Sequence, residues 1–398
     1  MMSFSIFPMM FSLLLFSAAL VLNQSFAEES TRLLLVQTLF RHGDRAPMFL
    51  YPKDKNKLDS WPEGLGKLTR LGKKQHYAVG KFLRSMYKDF VTSNPNEVIA
   101  ISTATERSLS SALAHLAALY APEGNWKFED ELDWQPIPIY TLPTKDDKYL
   151  SFNSTCPRAR QEQRKLIGSL QTIEEYQKHK TMLKAVSQYA GFNISQGINA
   201  LWLYDLLMIE KIHNITLPEW ANTYWNEIKE LADITFHGIL NSLALLRMRI
   251  GPLFKKITET MIKKIDGETD LKIQVFSAHD VNVGGALMAL NFTDMPQPPY
   301  CATLLFELHE MADTTKTVRL LYLNSTDPLK DIGKPHVLVL DDCSEYCPIE
   351  IFTKKIQHLI PDDWEQECQL VTSDIYEIDK TFEYIQLDAL TSSKKDEL

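Results

Sequence analysis

The sequence predicts an α/β fold: a mixed, mainly parallel sheet with helices on both faces, joined to a smaller helical domain. Three observations carry this reading. Residues 33–40 form a short, continuous apolar run, as expected of a strand buried on both faces. Strand and helix patterns then alternate, which brings parallel strands side by side with helices packed over them. From about residue 156 to 265 the patterning turns helical with few strand signals, and strand signals resume at 271–276. The expected division is a catalytic α/β domain of residues 28–150 and 250–398 interrupted by a mainly helical insertion at 151–249.

The elements follow in order. Residues 4–21 are apolar, and Ser25-Phe26-Ala27 offers small residues at cleavage positions, so 1–27 reads as a signal peptide cut after Ala27. The run is near spanning length and lacks a positive flank, which makes a membrane anchor the alternative; acidic Glu28 and Glu29 just beyond favour cleavage. After the first strand, Leu68, Leu71, Val79, Phe82, Leu83 and Met86 recur at near-helical spacing, predicting an amphipathic helix over roughly 68–90. Residues 98–102 make a second strand, and Thr105 is placed to cap a helix running through Leu109, Leu113, Leu116 and Leu119. Residues 173–189 and 220–246 read as helices, with Trp202, Trp220 and Trp225 as core residues. The strand at 271–276 precedes Ser277-Ala278-His279-Asp280 and a helix through Leu287 and Leu290. Strands at 302–308 and 318–323 across a polar loop predict a β-hairpin.

The chain has 398 residues and a net charge of −9, which argues against a nucleic-acid partner. No later stretch has eighteen uninterrupted apolar residues, so no membrane span is expected after cleavage. Five Asn-x-Ser/Thr sequons start at Asn153, Asn193, Asn214, Asn291 and Asn324, and glycosylation is expected at some of them. An oxidising compartment favours disulfides, and an odd count leaves one of the five cysteines over. Cys343-Ser-Glu-Tyr-Cys347 suits a local loop; a metal site lacks the accompanying His/Cys set. The preferred pairing is Cys343–Cys347 and Cys156–Cys368 with Cys301 free. The chain ends Lys395-Asp396-Glu397-Leu398, an ER-retrieval address if a receptor can reach it. The expected location is the secretory pathway, secreted or in the ER lumen, with a lysosome less favoured.

The chemistry is concentrated in Arg41-His42-Gly43-Asp44-Arg45-Ala46-Pro47, directly after the first strand. Two guanidinium forks match phosphate oxygens bidentately, and an imidazole between them can attack phosphorus through a neutral nitrogen. His279-Asp280 also follows a strand, and Arg107 opens the helix after another. Ligands of open α/β sheets sit beyond the carboxyl ends of strands, so these groups can share one cleft. In that cleft Arg41, Arg45 and Arg107 neutralise phosphate oxygens, and His279, if protonated, adds a donor. Asp280 protonates the leaving alkoxide and later deprotonates water. No metal or cofactor is required, because the arginines supply the charge. Singly, Arg107 reads as a solvated helix residue and His279-Asp280 as an ordinary strand-end turn; the shared boundary type joins them.

These residues resemble the histidine acid phosphatases, in particular the prostatic and lysosomal branch and its insect venom relatives. The resemblance extends to Leu68-Thr-Arg-Leu-Gly72, Leu116-Ala-Ala-Leu-Tyr-Ala-Pro-Glu-Gly124, Trp134-Gln-Pro-Ile-Pro138 and Asn214-Ile-Thr-Leu-Pro-Glu-Trp220. It implies a histidine phosphatase, phosphoglycerate mutase-like fold and hydrolysis of phosphomonoesters through a phosphohistidine. By motif, His42 resembles the nucleophile and Asp280 the proton donor, with Arg41, Arg45, Arg107 and His279 as phosphate ligands. A homodimer is a further implication. Two departures stand out. Ile101-Ser102-Thr103-Ala104 replaces a family stretch that often reads Arg-Ser-Thr-Asp, leaving substrate preference open. A third family disulfide has its partner position near Ile209, which again leaves Cys301 unpaired. The alternatives to an acid phosphatase are a phosphotransferase or mutase, and a catalytically silent glycoprotein with a binding or allergen role.

Overall fold

The computed structural model describes residues 31–170, 172–196 and 198–369. The signal peptide and the Lys395–Leu398 address lie outside the described residues.

The first apolar run extends into β1, Thr31–Arg41, whose last seven residues are all buried. Its neighbours divide by parity, as side chains alternate across a strand. Leu35 and Leu39 join one core cluster, and Val36 and Phe40 join another on the opposite face. Next come α1 (Arg70–Met86), β2 (Val98–Thr103), α2 (Glu106–Leu119) and β3 (Ile139–Leu142). Helices fill the middle: α3 (Pro157–Leu170), α4 (Glu174–Lys178), α5 (Lys180–Ala190), α6 (Asn199–Ile212), α7 (Glu219–Thr223), α8 (Trp225–Gly238), α9 (Leu243–Arg249) and α10 (Gly251–Ile265). The chain closes with β4 (Ile273–Ala278), α11 (Asp280–Ala289), β5 (Thr303–Met311), β6 (Lys316–Leu323), β7 (His336–Leu338), β8 (Cys347–Pro348), α12 (Ile349–Ile356) and α13 (Trp364–Glu367).

The sheet is mixed, with order β3-β2-β4-β1-β5-β6-β7 and β8 also on β6. β3, β2, β4 and β1 run parallel; β5, β6 and β7 continue antiparallel. The β5–β6 pair is the hairpin that the sequence predicts. α1 and α2 pack on the Val36 and Phe40 face, whereas α10, α11 and α12 cover the Leu35 and Leu39 face. The helices from α4 to α8 bury a separate cluster that includes Leu183, Leu203, Leu206 and Leu231 together with Tyr51.

Several boundaries differ from the sequence reading. The 173–189 pattern is two helices broken at His179, and the 220–246 pattern is three, broken at Tyr224 and after Gly238. At His179 and Tyr224 the apolar spacing continues through the break because both pieces face the same cluster, so periodicity alone does not register it. Thr105 is the N-cap residue of α2, but its hydroxyl bonds the Ser108 side chain at 3.0 Å rather than a backbone amide. The edge strand β3 and the short β7 and β8 escaped the sequence reading, being too brief and too exposed to show alternation. Cys156–Cys368 and Cys343–Cys347 are disulfides, and Cys301 is a buried free thiol. Asn153, Asn193, Asn214 and Asn291 are exposed; Asn324 is half-buried and accepts a bond from His336. Among the described residues no helix is long and apolar enough to cross a membrane.

Candidate active site

The sheet register brings the chemistry together. Arg41 is level with Ala278 on the neighbouring parallel strand, so His42 and His279 are each the next residue past paired strand ends. Ser102 is level with Ser277, which sets β2 and the α2 N-terminus at the same edge. His42 N–H donates to the Ala278 carbonyl at 3.0 Å, and Cys301 N–H donates to the His42 carbonyl at 3.2 Å. The loop is therefore held between β4 and the approach to β5.

Glycine makes the loop's path possible. A Cβ on Gly43 would lie 2.5 Å from the Gly72 carbonyl oxygen, and one on Gly72 would lie 2.1 Å from that of Asp44. Two backbones in such contact admit no side chain on either residue. Thr69 caps α1 by accepting from Gly72 N–H at 3.1 Å, while its hydroxyl donates to Asp44. Ser111 Oγ accepts from Gly43 N–H and Gln75 Oε1 from Asp44 N–H. Thus α1 and α2 both brace the turn that carries His42.

His42 is 3% exposed. Its Nδ1 lies 2.9 Å from the carbonyl oxygen of Gly43. A carbonyl can only accept, so Nδ1 carries the proton and Nε2 keeps a free lone pair. Burial, then Arg107 and Arg41, hold the His42 pKa well below the ordinary histidine value, so the ring stays neutral in acid. The His279 ring centroid lies 5.4 Å away, edge-on. Burial and Arg107 lower the His279 pKa to about 3, so it is a neutral imidazole at mildly acid pH rather than a protonated donor. Its Nε2 is 3.1 Å from Thr103 Oγ1.

Arg41, Arg45 and Arg107 converge on the same pocket with Asp280. Arg41 Nη2 is 3.0 Å from Asp280 Oδ2, its Nη1 donates to the Pro298 carbonyl, and its guanidinium lies 4.3 Å from the Tyr300 ring centroid. Burial opposes ionisation of Asp280, but Arg41, His279 and Arg45 together outweigh it and hold the carboxyl below its usual range. Arg107 Nη1 reaches only the Gly66 carbonyl, at 3.5 Å, and burial with Arg45 nearby lowers its pKa to about 10. The Nε atoms of Arg41, Arg45 and Arg107 are all buried without a partner among the described residues. Such donors suit an anion with several oxygens. Among the described residues no cluster of three or more His, Cys, Asp or Glu side chains is arranged to hold a metal ion.

Residues 32–323 match the family model described as histidine phosphatase superfamily, branch 2. The chain belongs to this superfamily. The lysosomal acid phosphatase of Xenopus laevis is 34% identical over 351 residues, covering 86% of this chain and 80% of the relative. The prostatic acid phosphatase of Homo sapiens is 35% identical over 355 residues, covering 86% and 89%. Among solved structures, the phytase from Citrobacter braakii superposes with a TM-score of 0.64 at 16% identity, over 85% of this chain and 100% of that one. Hafnia alvei phytase in complex with tartrate gives 0.64 at 18% identity, over 87% and 100%. These two speak for the fold alone.

This histidine phosphatase places further residues at the pocket that the sequence reading passed over. Asp205 of α6 bonds Arg45 Nη2 through both oxygens, at 3.1 and 2.9 Å. Burial alone would lower the Arg45 pKa, and Asp205, with Tyr300 and Asp280, more than reverses it. Tyr300 lies under Arg41, its ring centroid 5.9 Å from that of His42. Asp44 is fully buried and takes a 2.7 Å bond from His213 Nε2. No local pattern marks Asp205, which sits in a long helical stretch. His213 carried a weak signal, standing directly before the Asn214–Trp220 motif.

Proposed function

We propose that this chain is an acid phosphatase that hydrolyses phosphomonoesters through a phosphohistidine on His42. The single observation that carries the reading is the neutral, Nδ1-protonated His42 ring among three guanidinium groups. Membership of a family with acid phosphatases among its relatives supports it.

Arg41, Arg45, Arg107 and His279 take the phosphate oxygens, and His42 Nε2 attacks phosphorus in line with the leaving oxygen. Asp280 must then be an acid, although Arg41 keeps it ionised. When phosphate oxygens take over the Arg41 donors, that hold weakens and the carboxyl pKa rises. The proton comes from the ester, which is largely monoanionic below about pH 6. Asp280 passes it to the departing alkoxide, then accepts one from the water that attacks the phosphohistidine. Inorganic phosphate leaves and His42 is again neutral. A mutase would return the phosphoryl group to a second substrate hydroxyl; phosphate release with no second phosphorylated product separates the two.

The test is labelling with a phosphomonoester stopped in alkaline denaturant, in which a phosphohistidine survives. Wild type should form an acid-labile phosphoenzyme and release phosphate; His42→Ala should do neither. Labelled His42→Ala would rule out His42 as the carrier, and an inert, folded wild type would favour the silent glycoprotein.

In this reading 28–150 and 250–398 form the catalytic domain and 151–249 the helical insertion over its mouth. A secretory route, with glycans on some sequons and retrieval through Lys395–Leu398, completes it. Exposed Asn153, Asn193, Asn214 and Asn291 support the glycans. The edge strand β3, with exposed Trp126, Phe128, Trp134 and Tyr140 nearby in the chain, supports a homodimer through a continued sheet.

A further inference from the structure

Asp205 is a carboxylate for which the proposed reaction has no step. Both oxygens lie on Arg45 Nη2, and the pair is mostly shielded, with side-chain exposures of 9% for Arg45 and 19% for Asp205. Arg107 of α2 and the buried phenol of Tyr300 also feel its charge. Asp280 acts on the same two guanidinium groups, Arg45 and Arg107. Further along α6, Glu210 and His213 turn to other partners, Asn56 and Asp44. An acidic group here works against anion binding, since it occupies a donor that a phosphate oxygen would take. Holding Arg45 in place would need only a neutral acceptor. The negative charge therefore calls for its own account.

We propose that Asp205 is a positioning residue that, through Arg45, matches the pocket to the monoanion of a phosphomonoester and against the dianion. The inference rests on the phosphatase reading. Three guanidinium groups face two carboxylates, Asp280 and Asp205, while His42 and His279 are neutral imidazoles at mildly acid pH. Asp44 and His213 pair with each other beneath the loop and add no surplus in acid. The pocket thus carries one net positive charge, the complement of a monoanion. A phosphomonoester is a monoanion below about pH 6 and a dianion above it. The monoanion also brings the proton that the leaving group needs, whereas a dianion brings none and leaves one negative charge uncompensated. Acid preference then resides partly in which ionic form of substrate is accepted, not only in the titration of Asp280.

Inorganic phosphate is the probe, with binding measured by calorimetry for wild type, Asp205→Asn and Asp205→Glu at about pH 5 and about pH 8.5. Wild-type affinity should fall by tenfold or more between the two. Asp205→Asn should gain roughly tenfold at the higher pH and change little at the lower, as removing one nearby charge of a partly buried site implies. Asp205→Glu should keep the wild-type ratio. In turnover of p-nitrophenyl phosphate, the alkaline limb of kcat/KM should move upward in Asp205→Asn. An Asp205→Asn protein with the wild-type pH ratio, or one weakened equally at both pH values, overturns the proposal and leaves Asp205 a mere holder of Arg45. If wild type binds phosphate but turns over no ester, the phosphatase reading fails while the binding ratio still decides charge selection.

Discussion

In the proposed reaction Asp280 takes two roles, acid and then base. Its carboxyl sits 3.0 Å from Arg41, which keeps it ionised, so it cannot donate until phosphate engages that arginine. In that reaction the acid is therefore made by the substrate. Asp280→Asn is expected to lower kcat on an alkyl phosphate by about 10²–10⁴-fold, the usual contribution of general acid catalysis. On p-nitrophenyl phosphate, whose leaving group needs little protonation, phosphoenzyme should still form at a measurable rate. Rapid-quench kinetics on both esters checks this, and an equal loss on the two would contradict the acid role. His279 illustrates what residue type alone leaves undecided. Burial and Arg107 hold it neutral, so in the proposed reaction it would offer phosphate a hydrogen bond and no charge. Histidine after a strand is legible in a chain; its protonation state belongs to its surroundings.

Two elements determine where the catalytic loop lies. The first turn of α1 presses its backbone onto the turn after His42, and Gly43 and Gly72 are the points of contact. Gly72→Ala is expected to force the two backbones apart, destabilise the fold by about 2 kcal/mol or more and reduce kcat/KM further than KM alone explains. Urea unfolding and steady-state kinetics measure both effects. A Gly72→Ala protein of wild-type stability and activity would show that the approach is not required. The second element is α6, which reaches the segment 44–56 at three places: Asp205 to Arg45, Glu210 to Asn56, and His213 to Asp44. Glu210 is wholly buried beside Asp54, and burial with that second carboxyl lifts its pKa to about 7. A carboxyl raised from 4.5 to about 7 on folding holds a proton that the unfolded chain has lost, so its contribution to stability falls as pH rises through that window. Glu210→Gln should leave Tm nearly unchanged at about pH 5 and raise it by a few °C at about pH 8. Thermal unfolding at the two pH values tests it, and equal shifts would sink it.

At the scale of the whole molecule, acid stability is set by opposing groups. His76 and His115 lie buried behind β1, both against the Phe40 ring, and burial lowers their pKa values to about 4 and about 3. The unfolded chain protonates histidine near pH 6.5, so stability present above that pH is lost as pH falls toward 4 and 3. Neither His115 nitrogen has a partner among the described residues. His115→Leu should therefore change stability little at pH 7 and raise it by about 2 kcal/mol or more near pH 4, as read by urea unfolding; a large loss at pH 7 would contradict this. The Cys156–Cys368 disulfide joins the start of α3 to the end of α13 across 212 residues. Replacing both cysteines with serine should cost about 2–5 kcal/mol.

The chain by itself determined the α/β class, the β1 and β4 strands, the β5–β6 hairpin, the local Cys343–Cys347 disulfide and six candidate site residues at three strand ends. Each of these is written locally, as an apolar run, a turn motif or a cysteine spacing, and local signals survive without a structure. Only the tertiary structure decided that Arg45 answers to Asp205, 160 residues away, that Glu210 meets Asp54, and that His213 meets Asp44. It also decided where the long helical patterns break. Contacts between distant segments depend on register and packing, which no window along the chain contains, and pKa values depend on the burial and charges that such contacts create.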